Sequence, residues 1–113
     1  MEYWEIINLT HILFSTPLFI WIGYMKEKTH KYIFYLALLV GIIVLLYHLY
    51  KCYINFIDGN SMYIVNLFHI LVIAPLLIYA GIVREKISYP IPSLMFIIGA
   101  GGLIHYVIKY LKN

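Results

Sequence analysis

The chain has 113 residues, of which 64% are hydrophobic and 12% charged, and a formal charge of +3. One water-soluble domain of this length has too little interior to hide so much apolar surface, so lipid is the expected solvent for most of it. The Lys and Arg residues are scattered at the ends of apolar runs, with no basic block and no basic face interleaved with aromatics, which argues against nucleic acid as a partner.

Four apolar segments follow in order: Tyr3 to Met25, Tyr32 to Tyr53, Met62 to Val83 and Tyr89 to Leu111. A helix of more than 20 residues rises about 30 Å, enough to cross the hydrocarbon core. The expected fold class is therefore an all-α integral membrane protein, one domain over residues 1–113, with four transmembrane helices and the lipid bilayer as its main partner. The acidic start, Met1-Glu-Tyr-Trp-Glu, lacks the basic region and cleavage site of a removable signal peptide, so the first segment is expected to be retained. Polar residues fall in the breaks, and Ser88 with Pro90 is placed to start the fourth helix. Tyr3, Trp4, Trp21, Tyr24, Tyr50, Tyr53, Tyr89, Tyr106 and Tyr110 flank the segments as interfacial anchors do. Loops 26–31 and 84–88 carry five Lys and Arg against three at the opposite ends, which puts those loops in the cytoplasm and both termini outside or in a lumen.

The chain repeats itself. NLTHILFSTPLFIWIG at 8–23 aligns without a gap on NLFHILVIAPLLIYAG at 66–81, and on to Lys28 and Lys86 the match is 11 of 21 positions at an offset of 58. The offset continues weakly through Gly41 with Gly99, Leu45 with Leu103 and Lys51 with Lys109. Two repeat units, 3–54 and 61–112, each hold two segments. An even number gives both copies the same orientation, so the expectation is two parallel helical-hairpin repeats about a pseudo-two-fold axis along the membrane normal. Inverted-repeat alternating access is not available within one such chain, and a homo-oligomer is another way to build a pathway.

His30 lies in the first loop, whereas His11, His48, His69 and His105 fall one to a segment, each about 9 to 12 Å inside its outer end. The spacing predicts four imidazoles in one layer of the outer leaflet. Asn8 and Asn66 stand one turn outward of His11 and His69, and Pro17 and Pro75 free the carbonyls of Leu13 and Leu71 and kink the helices. Ala37, Gly41, Val44 and His48 share one stripe, and Ile98, Gly101 and His105 another. One departure breaks the symmetry: Tyr47-His48 becomes His105-Tyr106.

Three chemistries fit this layer. Neutral imidazoles ligate Cu, Zn or Fe, and two facing histidines ligate a b-type haem axially, which makes His11, His48, His69 and His105 candidate ligands for a transition metal ion or haem in electron transfer or metal handling. Asn8, Asn66, Ser15, Tyr47 and Tyr106 would then support the ligands, and Cys52 would be either a fifth, soft ligand or a buried inert thiol. The same histidines, extended by Glu5, Asp58, Tyr47 and Tyr106, form the outer part of a proton or ion relay, although the inner halves of the segments hold almost no ionisable group to continue it. In the third reading His and Asn only make hydrogen bonds between helices. A single Cys excludes an intrachain disulfide, and no Cys-x-x-Cys-His is present for covalent haem attachment. No Ser-His-Asp grouping, Walker loop or His-Glu-x-x-His points to a hydrolase; any enzyme here would be a membrane redox protein.

Overall fold

The computed structural model describes residues 3–112, apart from the side chains of Trp4, Glu5, Asn8 and Ile12. All regular structure among the described residues is helical. The elements are α1 (Tyr3–Thr10), a π-helical turn (His11–Ser15), α2 (Thr16–Met25), a 3-10 turn (Lys26–Lys28), α3 (Lys31–Ile57), α4 (Tyr63–Phe68), a second π turn (His69–Ile73), α5 (Ala74–Val83), a second 3-10 turn (Arg84–Lys86) and α6 (Ile91–Lys112). The fourth segment becomes helical at Ile91, two residues later than its apolar run begins, because Tyr89 and Pro90 form a turn.

Among the described residues three helices are long and apolar enough to cross a membrane: Lys31–Ile57, Tyr63–Lys86 and Ile91–Lys112. Large apolar side chains face outward along all three, with Leu39, Leu46, Leu71, Ile97 and Ile104 each more than half exposed. Such continuous apolar exposure is foreign to a water-soluble surface.

The chain forms two compact units, one of Met1–Ile33 with Glu85–Asn113 and the other of Phe34–Arg84. Residues 3–54 and 61–112 therefore each give one long helical segment to each unit. In the first unit α2 packs on α6. A Cβ on Gly23 would stand 2.6 Å from the Phe96 nitrogen and 2.7 Å from the Pro92 oxygen, and one on Gly99 would stand 2.8 Å from the Phe19 Cβ. In the second unit α5 packs on α3, where a Cβ on Gly81 would stand 2.5 Å from the Leu38 Cβ and one on Gly41 would stand 2.9 Å from the Leu77 Cβ. Only glycine permits so close an approach of two helices. Moved by 58 positions, Gly23, Phe96, Gly99 and Phe19 become Gly81, Leu38, Gly41 and Leu77, so the two units use corresponding positions for their closest contacts.

The buried stripes correspond in the same way. On α3 the buried residues are Phe34, Ala37, Gly41 and His48, and on α6 they are Pro92, Met95 and Gly99, with Gly102 and Tyr106 half-buried. The α3 stripe is the one its spacing predicts. On α6 the expected stripe of Ile98, Gly101 and His105 gives way to Pro92, Met95, Gly99, Gly102 and Tyr106, because the packing follows the 58-residue register and not the position of the histidine. Gly101 and His105 face outward.

Both prolines are accommodated by π turns rather than by simple kinks. A proline one residue inside a helix has no N–H to give, and the preceding turn widens so that the Thr16 and Ala74 N–H groups reach five residues back to the carbonyls of His11 and His69. At the other ends of α2 and α5, Lys26 (φ 55) and Arg84 (φ 51) hold left-handed backbone that non-glycine residues seldom adopt. Arg84 has local support, since its Nη1 donates to the Tyr35 hydroxyl at 3.3 Å and its guanidinium lies 5.4 Å from that ring's centre.

Candidate functional site

The largest buried polar group lies in the unit of α3, α4 and α5. His48 and His69 are each 8% exposed and Asn66 is 6% exposed. Their placement follows from the helices: His48 continues the buried face of α3 two heptads after Phe34, and His69 opens the π turn one helical turn after Asn66. The two imidazoles stack, with centres 4.1 Å apart and planes 13° from parallel.

Each ring is held by its Nδ1. That of His69 donates to the Val65 carbonyl at 2.9 Å, since a carbonyl only accepts. The neutral ring then carries its one accepting lone pair on Nε2. That of His48 meets the Asn66 Nδ2 at 2.9 Å, and the Asn66 Oδ1 accepts from the Asn55 Nδ2 at 2.8 Å. An amide N–H donates, so His48 accepts at Nδ1 and carries its proton on Nε2 when neutral. A chain Asn55 to Asn66 to His48 thus ties α3 to α4.

The first unit repeats the geometry with a different residue. The His11 Nδ1 donates to the Ile7 carbonyl at 2.9 Å, as His69 does to Val65. Its ring stacks on Tyr106, with centres 4.4 Å apart and planes 22° from parallel. Tyr106 is 58 positions from His48. The reversed Tyr-His order therefore leaves a flat ring in the stack of both units, an imidazole in one and a phenol in the other, and turns His105 outward. His105 meets Tyr106 only edge-on, at 5.1 Å.

The other expected supporting residues divide. Asn66 does bond a histidine, and Tyr47 lies edge-on to His48 at 5.1 Å. The side chain of Asn8, expected beside His11, and that of Glu5, expected in a relay, lie outside the described residues. Ser15 is half-buried, and the hydroxyl that serves the first π turn is instead that of Thr16, whose Oγ1 donates to the His11 carbonyl at 2.9 Å. Asn55 was not anticipated, although it lies seven residues after His48 on the same helical face. The Cys52 thiol, half-buried, points at the Tyr63 carbonyl at 3.8 Å. It lines an open apolar groove of about 510 Å³ with Leu49, Tyr53, Phe56, Tyr63, Leu67 and Ile70.

As a ligand set the stacked pair is unfavourable in this arrangement. Nitrogen lone pairs lie in the imidazole plane, and near-parallel planes share no nearby point at which both rings can meet one ion. Among the described residues no group of three or more His, Cys, Asp or Glu is arranged to hold a metal ion. Comparison with protein families, curated proteins and solved structures finds no match to this chain.

Proposed function

We propose that the chain is a multi-pass membrane protein built from two copies of one helical unit, in which the histidines and asparagines are the interhelical polar packing of a non-catalytic, structural bundle. On this reading the segment from Tyr3 to Met25 is a fourth span, loops 26–31 and 84–88 are cytoplasmic and both termini lie on the other side. The observation that carries the reading is the ring stack, kept at corresponding positions with His48 in one unit and Tyr106 in the other. A phenol preserves the shape and packing of an imidazole better than its ligand chemistry, so shape is what the position requires. The chain of Asn55, Asn66 and His48 supports it further, because polar groups in hydrocarbon must find partners within the protein.

Metal or haem binding is the second reading, and one observation favours it. Metal-bound histidines commonly donate their remote N–H to a backbone carbonyl, as His11 and His69 do, which would make Nε2 the ligating atom. Ligation of one ion by both His69 and His48 would require the two rings to leave their parallel stack. Elemental analysis and an absorption spectrum of protein purified in mild detergent separate the two. The structural reading expects no stoichiometric metal, no Soret band and no uptake of added Zn, Cu or haemin, with His69→Ala lowering stability alone. Stoichiometric metal or haem that is lost in His69→Ala would overturn it.

A further inference from the structure

The outward faces of α3 and α6 occupy corresponding positions, and one serves as a control for the other. On α3 that face carries Leu39, Ile43, Leu46, Tyr47 and Tyr50, all exposed and all suited to lipid or its interface. The corresponding residues of α6 are Ile97, Gly101, Ile104, His105 and Ile108, again all exposed. Three of the five keep a large apolar side chain. The two departures, Ile43 to Gly101 and Tyr47 to His105, are one helical turn apart on one face. A Cβ on Gly101 would meet nothing within 4 Å. No hydrogen bond to the His105 imidazole is found among the described residues, and its ring meets only its neighbour Tyr106.

A ring that needs a donor and an acceptor, set among isoleucines, is costly against hydrocarbon. From this we infer that the Gly101–His105 face of α6 is where a second copy of this chain packs, parallel and about a two-fold axis along the membrane normal. This rests on the membrane reading above. Two copies inserted the same way bring identical residues to the same depth, so His105 of each copy meets His105 of the other, a match that no unrelated helix guarantees. Neutral imidazole both donates and accepts, so two such rings form one N–H···N bond across the axis. Gly101 lets the helices approach closely enough for that bond.

Cysteine cross-linking tests this in the full chain with Cys52→Ser as background. Single substitutions Gly101→Cys and Ile104→Cys on α6, and Ile43→Cys and Leu46→Cys on α3, are oxidised in phosphatidylcholine vesicles at high lipid excess. A disulfide-linked dimer is expected from the α6 pair and not from the α3 pair. Adding Gly101→Leu to an Ile108→Cys reporter is expected to reduce its dimer at least tenfold. No dimer from α6, equal dimer from both helices, or insensitivity to Gly101→Leu would overturn the inference. Alkaline carbonate extraction of the same vesicles distinguishes the two failures: a chain retained but monomeric refutes the second copy alone, whereas a chain released refutes the membrane reading beneath it.

Discussion

The two units share a design and differ at its most buried polar point. In the unit of Phe34–Arg84 the histidine of the π turn stacks on a second imidazole, itself bonded to Asn66 and through it to Asn55. In the other unit the same histidine stacks on Tyr106 at nearly the same distance and tilt. Three features around the rings correspond: the π turn before each proline, the bond from Nδ1 to the carbonyl four residues back, and the two glycines that bring the helices together. The difference teaches that a flat ring is the constant requirement, met by an imidazole in one unit and by a phenol in the other.

The largest expected effects test what the units share. Gly23→Ala and Gly81→Ala each put a methyl group into contact with backbone or Cβ atoms that have little freedom to move, and each should cost about 1–3 kcal/mol in detergent unfolding titrations. Similar losses at the two sites support the correspondence. A loss at one site alone would break it.

Asn66→Ala probes the amide chain of the Phe34–Arg84 unit. It leaves the His48 Nδ1 and the Asn55 amide without the partner they share, for an expected loss of about 1–2 kcal/mol by the same titration. The smallest effects are gains. Lys26→Gly removes left-handed strain and should stabilise by up to about 1 kcal/mol, read as a higher unfolding midpoint. Arg84→Gly relieves the same strain but loses the contacts to Tyr35, so its gain should be smaller still. Equal gains at both positions would show that the Tyr35 contact contributes nothing.

Much of this was legible in the sequence, and the exceptions have physical causes. The 58-residue offset and the helical hydrophobicity follow from spacing and residue type, whereas Asn66, which its spacing places beside His69, bonds His48 on α3 instead. On the fourth helix the ionisable groups alone match His105 with His48. Packing aligns by register, and register pairs His48 with Tyr106. Proline signals the loss of one backbone bond but not how the helix absorbs it, and here a π turn precedes each proline. Asn55 could have been found from its i+7 spacing to His48. That α2 pairs with α6 and α3 with α5 depends on glycine contacts between distant segments, which no local pattern encodes.

The central claim is that the stacked position needs a ring and not a ligand. Tyr106→His tests it most directly, since it gives the first unit the ring that the second already has. Unfolding free energy measured beside Tyr106→Ala should place the histidine variant within about 1.5 kcal/mol of the natural chain and the alanine variant clearly below it. A histidine variant as unstable as the alanine variant would contradict the account.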